Sequence, residues 1–339
     1  MKLAIHNSNS SWTIRWIEYC KTNNIQFFLI NCYDYNIIQQ LNDKAITHLM
    51  WHFHHSNPSD ILMARNILFS VEKMGIKSFP NFNTSWHFDD KITQKYVLES
   101  IGAKIASTYP FYDKKIAIEW LKSSAKYPLV VKLRRGAGSY NVKLLKNYKQ
   151  AEEYTNKMFS SGIDPSPRYL ADIKNKIKIS KNFQGLMSKL KKLPGFFNMV
   201  REGNLFPKEL GYVYFQEFID NNKHDIRVSV IGGKAWAFKR RVRDNDFRAS
   251  GSGMIDYSTS DIPLNLIETS FKYTQKIGAQ SIAYDYVKNY KGEYLLVEIS
   301  YGFSAEAILE CEGYWNKELI WNSKKICPAQ EVLKNFTEE

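Results

Sequence analysis

The chain has 339 residues, of which 44% are hydrophobic and 14% aromatic, a composition that excludes an intrinsically disordered protein and is typical of a globular one. No apolar run reaches the roughly 18 residues of a membrane-spanning helix, and the N-terminal stretch MKLAIHNSNSS turns polar too early for a signal peptide. The net charge of +13 predicts an anionic partner: nucleotide phosphates, nucleic acid, a membrane surface or an acidic glycan.

Cysteine usage gives a prediction about the compartment. The cysteines are widely spaced and form no CxxC pair, which argues against a zinc site and against a disulfide framework. A reducing, cytoplasmic environment fits this pattern best. The four are Cys20, Cys32, Cys311 and Cys327.

Residues 1–90 alternate between two kinds of hydrophobic pattern. The runs KLAIHN, IQFFLIN, AITHLMW and IKSFPNF are typical of strands, whereas WTIRWIEYCKTN, YNIIQQLN and DILMARNILFSVEKMG carry apolar residues at helical spacing. This alternation predicts a parallel, Rossmann-like sheet.

A buried strand followed by a basic glycine loop comes next. Asp89 or Asp90 is placed to cap a helix that ends near Gly102. After a short helix at IEWLKSSA, the strand YPLVVKL delivers Lys132 to the loop RRGAGSYN. Glycines let backbone N–H groups approach phosphate oxygens, and the lysine adds a positive charge. A lysine at a strand end beside a glycine turn also occurs for purely structural reasons.

The segment 165–210 differs from its surroundings in composition. Four prolines punctuate it and lysines crowd its middle, which predicts an exposed excursion of helical or irregular structure. A nucleic-acid-binding surface would interleave aromatic residues with the basic ones, but Phe183 stands alone among the lysines. The basic side chains are Lys174, Lys176, Lys178, Lys181, Lys189, Lys191 and Lys192.

Several basic residues converge on the strands that follow, GYVYFQEFI, DIRVSVIGG and KAWAFKRRV. In DIRVSVI, alternation places Asp225, Arg227 and Ser229 on one face and the aliphatic residues on the other. Clustered arginines repel unless an anion lies between them, so the pattern indicates either an anion site or a solvated basic edge. Asp244 and Asp246 could also neutralise part of this charge.

The helical pattern LNLIETSFKYTQKIGA leads to a predicted β-hairpin, AYDYVKNYKGEYLLVEIS, over residues 283–300. Each of its strands carries one carboxylate, Asp285 and Glu298. Because a buried, unpaired carboxylate is costly, each needs a cationic partner. That partner is either a basic side chain of this lysine-rich chain or a divalent metal ion.

The order of these motifs resembles the ATP-grasp superfamily, and most closely its glutathione-synthetase-like and ribosomal-protein glutamate-ligase branch. The succession is DDK at a helix start, PLVVK before a glycine loop, QEFI, DIR, FR, and the two hairpin acids. The resemblance covers about residues 86–305 and implies a Rossmann-like parallel sheet followed by a two-subdomain ATP-grasp fold. The implied domains are 1–85, 86–210 (with the basic excursion 165–210) and 211–330.

The resemblance implies a nucleotide site. It assigns the phosphates of ATP to two lysines, the phosphate loop to small residues, the adenine edge to a hinge strand, and the ribose to an acid. The corresponding residues are Lys91 and Lys132; Gly136, Gly138 and Ser139; Glu217, Phe218 and Ile219; and Asp220.

The resemblance also implies a metal and a catalytic set. Asp285 and Glu298 match acids that hold Mg²⁺ (or Mn²⁺), and Ser300 stands where the family usually has asparagine. Arg227 and Arg248 match arginines that face the transferred phosphate. We add Arg241, which lies at the basic end of the predicted strand KAWAFKRRV. The phosphate loop departs from the family pattern as well, since Ser139, Tyr140 and Asn141 stand where small residues are common.

The implied activity is an ADP-forming ligase that joins a carboxylate to an amine through an acyl phosphate, with an acidic sugar, an amino acid or a glycan precursor as substrate. Alternatives are a phosphotransferase of the same fold acting on a sugar or polyol, and a basic nucleic-acid-binding protein. For the substrate we single out His52, His54 and Asn57, because they follow a predicted parallel strand where open α/β sheets bind ligands. Zinc is a weaker interpretation of these histidines, since no acidic or cysteine partner lies nearby in the sequence.

Overall fold

The computed structural model describes residues 1–55, 57–136, 141–165, 207–243 and 247–338. They form two compact units. The first unit comprises Met1–Phe88, Tyr96–Ile105 and Asn221–Glu339, and the second comprises Asp89–Lys95 and Ala106–Asp220. Most of the predicted basic excursion, residues 166–206, lies outside the described residues. The domain boundaries implied by the resemblance stay predictions. No helix in the described ranges is both long and apolar enough to cross a membrane.

The first unit opens with the predicted parallel sheet. Its strand order is β2-β1-β3-β4, and every neighbouring pair is parallel. Ser10 caps the first helix by accepting from the N–H of Thr13, and Asn57 caps the third by accepting from Ser59. The elements are β1 (Leu3–His6), α1 (Ser11–Thr22), β2 (Phe27–Ile30), α2 (Ile37–Asp43), β3 (His48–Met50), α3 (Pro58–Lys73), β4 (Lys77–Phe79) and α4 (Phe82–Ser85).

A larger antiparallel sheet makes up the rest of the first unit. Its described strands run in the order β13-β12-β9-β10-β14-β15, with β11 paired to β10. The predicted hairpin is confirmed, because β12 and β13 pair antiparallel. The strands are β9 (His224–Ile231), β10 (Lys234–Arg241), β11 (Ile255–Asp256), β12 (Ser281–Lys288), β13 (Tyr294–Ser300), β14 (Tyr314–Asn316) and β15 (Trp321–Asn322); the helices are α8 (Leu264–Ile277), α9 (Ala305–Leu309) and α10 (Pro328–Glu338).

The two faces of this sheet differ in chemistry. Ile226, Val228 and Val230 of β9 belong to a hydrophobic core that also contains Leu266 and Ile267 of α8. The alternate residues of β9, among them Asp225 and Arg227, face the other way, as the alternation in the sequence predicts. The packing of α8 on one face therefore leaves the charged side chains together on the opposite face.

The second unit is built on a four-stranded antiparallel sheet. Its order is β5-β8-β6-β7, and helices α6 and α7 supply much of its hydrophobic core. The fifth helix begins in this unit at Lys91. The elements are α5 (Lys91–Ser100), β5 (Thr108–Phe111), α6 (Lys114–Ser123), β6 (Leu129–Lys132), β7 (Val142–Leu145), α7 (Tyr148–Met158) and β8 (Val213–Glu217).

Two strands of the second unit, β5 and β7, were not predicted from the sequence. Strand β5 has the sequence TYPF. A central strand pairs on both sides, and Pro110 has no N–H to donate to a neighbouring strand. The structure resolves the conflict by placing β5 at the edge of the sheet, where it pairs with β8 alone among the described strands. The helix at IEWLKSSA also begins earlier than expected, at Lys114, because Asp113 caps it by accepting from the N–H of Ile116.

Candidate active site

Four charged side chains form a buried network across three strands of the first unit. The register sets Arg227 opposite Asp285 and Asp225 opposite Arg240. Arg227 donates to both oxygens of Asp285, from Nε to Oδ1 at 2.7 Å and from Nη2 to Oδ2 at 2.8 Å. Arg240 lies between the two aspartates, with Nη2 at 2.7 Å from Asp285 Oδ2 and Nε at 2.8 Å from Asp225 Oδ1. The anion that the converging arginines require is thus supplied by the chain itself.

The network fixes the charge of Asp285, whose residue surface is only 3% exposed. Burial by itself would favour the neutral acid. The two guanidiniums outweigh it and hold the pKa of Asp285 well below its usual range. Arg240 is likewise held in its charged form. Burial alone would lower its pKa, but its carboxylate partners outweigh burial and raise the pKa. Both groups remain charged over the whole physiological range of pH.

The second hairpin acid lies next to this network. Glu298 of β13 is directly opposite Asp285 of β12, so both side chains project from the same face of the sheet. Ser300 is opposite Ala283 on that face, and its hydroxyl accepts from the N–H of Gly302 at 3.1 Å. No group of three or more histidine, cysteine, aspartate or glutamate side chains within the described ranges could hold a metal ion. A cation at this place would take its further ligands from water or from a bound molecule.

The structure separates the two arginines at the end of β10. Arg240 faces the network, whereas Arg241, which we had singled out, points to the opposite face and lies 3.5 Å from Asp256 with 67% of its side chain exposed. Asp225 and Arg240 were not selected from the sequence. The alternation of β9 indicated the face of Asp225, but the choice between adjacent arginines depends on the register of β10, which the sequence does not reveal.

Arg248 belongs to a loop of the same unit. It is half-buried, and its guanidinium carbon lies 5.9 Å from the centre of the Phe247 ring. Asp244 and Asp246, considered as neutralising partners for the basic strand end, fall outside the described residues. The role of Arg248 in catalysis stays a prediction.

In the second unit, Lys91 and Lys132 are both buried, with 5% and 7% of their surfaces exposed. Lys91 is the first residue of α5, and its ammonium donates to the carbonyl of Gly136 at 2.6 Å. Lys132 ends β6 and shares with Val130 the face turned away from the core that contains Leu129 and Val131. Two lysines that are costly to bury thus lie at the start of the glycine loop and beside it.

The start of the glycine loop is held by Asp89 and needs glycine. Gly136 has a φ of +113°, and a Cβ there would lie 2.4 Å from Asn141 Nδ2. Its N–H donates to Asp89 Oδ1 at 2.8 Å. The cap of α5 is therefore Asp90, which accepts from Thr93, whereas Asp89 anchors the loop. Gly138, Ser139 and Tyr140 lie outside the described residues.

Glu209 is a further buried acid beside this loop that was not selected from the sequence. Only 4% of it is exposed, and it accepts from the hydroxyl of Tyr212 at 2.9 Å. Its oxygens lie 3.7 Å from Arg134 Nε and 3.9 Å from Arg135 Nε, at the entrance of the loop. About seventy residues separate Glu209 from these arginines along the chain, so no local motif could have indicated the contact.

The predicted adenine-binding residues are the last residue of β8, Glu217, and the two that follow it. The N–H of Glu217 donates to the carbonyl of Ser107 at 2.8 Å, which fixes the strand end. Phe218 and Ile219 are half-buried, and Asp220 is exposed. Their contacts with a nucleotide stay predictions.

The histidines that follow β3 lie in an aromatic cluster of the first unit. His52 stacks on Trp12 with ring centres 4.7 Å apart and lies 6.4 Å from His54. Neither ring nitrogen of His52 has a hydrogen-bond partner among the described residues. Burial, aided by His54, lowers the pKa of His52 to about 3, so its ring is neutral at physiological pH. Asn57 donates to the hydroxyl of Tyr33 at 2.8 Å.

Several solved structures are similar to the chain over its length. One is a RimK domain ATP-grasp protein from Sphaerobacter thermophilus, at 12% identity and a TM-score of 0.58, covering 99% of each chain. Another is the D-alanine–D-alanine ligase from Bacillus anthracis complexed with ATP, at 12% identity and a TM-score of 0.52, covering 100% of this chain and 96% of that one.

A third is the biotin carboxylase domain of 2-oxoglutarate carboxylase from Hydrogenobacter thermophilus, in complex with MgADP, ADP and bicarbonate. It has 14% identity and a TM-score of 0.59, and the match covers 100% of this chain and 70% of that one. At these identities the likeness concerns the fold alone, and it confirms the fold that the motifs implied. No protein-family model and no curated protein sequence match the chain.

Arg240 and Arg241 form a matched pair for testing the buried network. Arg240→Met leaves two buried aspartates short of their shared partner, so we expect a loss of about 3–5 kcal/mol in the free energy of unfolding. Arg241→Met removes a mostly exposed charge and should change stability by about 0.5 kcal/mol or less. Urea unfolding followed by tryptophan fluorescence measures both. Equal losses in the two variants would contradict the assignment of Arg240 to the network.

The buried neutral His52 predicts a dependence of stability on pH. Its pKa is about 3 in the folded protein and about 6.5 in the unfolded chain. The unfolded state therefore binds the extra proton first as the pH falls below 6.5, and stability declines from there towards pH 3. At pH 5 the loss from His52 should be about 2 kcal/mol relative to pH 7.

Replacing His52 by phenylalanine keeps an aromatic ring on Trp12 and removes the titrating group. The variant should lose about 2 kcal/mol less than the wild type between pH 7 and pH 5 in denaturant unfolding. Parallel losses in the two proteins would show that His52 is not the buried neutral group.

Proposed function

We propose that this chain, which has the ATP-grasp fold, is an ATP-dependent ligase that joins a carboxylic acid to an amine and releases ADP and phosphate. The observation that carries the proposal is the common sheet face on which Arg227, Asp285 and Glu298 lie side by side. A cation and two acids in this arrangement suit a metal-bound phosphate. The activity rests further on the basic, buried groups of the second unit.

The charge of this face favours a metal that arrives with an anion. Three carboxylates against two guanidiniums leave one net negative charge, counting Asp225, Asp285, Glu298, Arg227 and Arg240. This single net charge attracts a free Mg²⁺ ion only weakly, because the two guanidiniums offset most of the carboxylate charge. A metal carried by a triphosphate brings its own negative charge, and the arginines then attract the phosphate oxygens.

The donor set fits Mg²⁺. A carboxylate offers about four lone-pair positions, and the arginines use three of those on Asp285, so Oδ1 keeps one for a further cation. Glu298 directly opposite would supply the second carboxylate, and magnesium prefers one or two carboxylates together with phosphate oxygens. When bound, the metal neutralises negative charge on the phosphates. Ser300 offers a weaker ligand than the family's usual asparagine.

The second unit would bind the nucleotide. We assign the phosphates to Lys91, Lys132 and the loop that begins at Gly136, because two positive charges beside a glycine loop suit phosphate oxygens. The backbone of Glu217–Ile219 would read the adenine edge, and Asp220 the ribose. Asp89 and Glu209 keep the loop entrance in place for this task.

The chemistry needs no covalent intermediate on the enzyme. A carboxylate is a poor electrophile, and phosphoryl transfer converts it into an acyl phosphate that an amine can attack. Arg227, locked in position by Asp285, would stabilise charge on the transferred group, and Arg248 would do so on the acyl phosphate. Preorganised donors of this kind lower the barrier because they need not reorient during the reaction.

For the carboxylic acid we propose an acidic sugar or an acidic amino acid, because a chain of net charge +13 attracts anions. His52, His54 and Asn57 stay our candidates for substrate contact. The unpartnered nitrogens of His52 are the feature that supports this choice, since a buried donor without a partner is costly unless a ligand satisfies it.

Hydroxylamine trapping tests the activity. With ATP, Mg²⁺ and a panel of uronic acids and acidic amino acids, the enzyme should form a hydroxamate together with ADP. Glu298→Gln should reduce kcat by about a hundredfold or more, because it removes one metal-binding charge, and Lys132→Met should abolish ATP-induced thermal stabilisation. Glu312→Gln, on an exposed side chain, is the control and should behave as wild type. A stable phosphorylated product without hydroxamate would contradict the ligase and favour a phosphotransferase.

A further inference from the structure

We propose that a groove in the first unit, at the end of β9 and β12 opposite to the charged network, binds a free amino acid with an apolar side chain. The groove has a volume of about 800 Å³ and is lined by the β9–β10 turn, by α8 and by the end of α10. A smaller recess of about 250 Å³ shares four of its lining residues, Gly232, Gly278, Ala279 and Asn335.

The first observation is an unsatisfied amide inside the groove. Asn335 of α10 lines both the groove and the recess. Its Nδ2 is buried and has no hydrogen-bond partner among the described residues. The amide lies against the backbone of Gly232, where a Cβ would come within 2.4 Å of Nδ2. A buried donor left unpaired is costly, so a ligand that accepts from it would be favoured.

The second observation is the balance of charge at the groove, in a chain that carries +13 overall. Lys272 is already paired with Glu268 at 2.6 Å along α8. Lys317 and Glu338 remain, and Glu338 has a loose contact with Lys334 at 4.0 Å. One cation and one anion give little net attraction to a phosphorylated ligand, whose phosphate carries more than one negative charge. They suit a molecule that carries one charge of each sign.

The third observation is the apolar lining of the recess. Phe79, Ile231, Val332 and Phe336 line it, together with the polar side chains of Asn81 and Gln280. Ligand sites combine such a lining with a few polar groups that fix orientation. An amino acid fits both parts, since its carboxylate can accept from Asn335 Nδ2 and Lys317, its ammonium can donate to Glu338, and its side chain can enter the recess.

This site is separate from the proposed active site. Ile231, at the recess, is four residues along β9 from Arg227, a distance of about 13 Å in a strand. A ligand in the recess therefore leaves the charged network unoccupied. Binding can be measured without ATP, so the outcome does not depend on the proposed ligase activity.

Saturation-transfer NMR on the full chain, with the free L-amino acids as probes and no nucleotide, tests the inference. Leucine, isoleucine or phenylalanine should bind with a Kd of about 1 mM or below. The N-acetyl derivative lacks the ammonium and the amino alcohol lacks the carboxylate, so each should bind about tenfold more weakly.

Two variants locate the binding. Lys317→Met changes a surface residue and should weaken binding about tenfold, as should Asn335→Leu if it folds. Glu312→Gln is the control and should bind as wild type does. The inference is overturned if none of the amino acids binds at about 10 mM, or if Lys317→Met binds them as tightly as wild type. Equal binding of the N-acetyl derivative would likewise rule out recognition of an amino acid.

Discussion

The ion network of Arg227, Asp285, Arg240 and Asp225 is the interaction on which the proposed active site depends. Burying four charges is costly, and the network compensates only while three strands keep one register. The hydrophobic packing of α8 on the opposite face enforces that register, because a shift by one residue would carry every charge into the core. The fold and the site are therefore specified together: the same alternation that buries Val228 also sets Arg227 against Asp285.

The network also limits what Asp285 can do. A carboxylate that already accepts from two arginines is a poor site for a free metal ion, yet it keeps one position for a metal that brings phosphate with it. Asp285 therefore pairs with basic side chains and keeps a position for a metal. The ion pairs are present in the structure, and metal binding is proposed to occur together with the nucleotide. Glu298 then supplies the second carboxylate, and Ser300 is the weakest donor of the set because its hydroxyl already accepts from Gly302.

Much of the fold could be predicted from local patterns. The βα alternation of the first 90 residues, the hairpin at 283–300 and the two faces of β9 all follow from hydrophobic spacing, which short stretches of sequence contain. What could not be predicted depends on contacts between distant residues. Arg240 rather than Arg241 faces Asp285 because of strand register, and Glu209 approaches Arg134 across some seventy residues of chain. Strand β5 was missed because its proline is acceptable only at a sheet edge, and sheet order is not a local property.

We propose that Asp285 and Glu298, beside the arginines of the network, accept a divalent metal only together with a nucleotide. The relaxation rate of water protons, measured with Mn²⁺ in place of Mg²⁺, tests this. Mn²⁺ changes that rate to a different extent when the ion is bound to a protein. We expect no enhancement with protein and Mn²⁺ at about 0.1 mM, and a clear enhancement once a non-hydrolysable ATP analogue is added. The analogue and Mn²⁺ without protein provide the baseline, and Glu298→Gln should return the signal to it. Equal enhancement by the protein with and without the analogue would show that the acid pair binds the metal without the nucleotide.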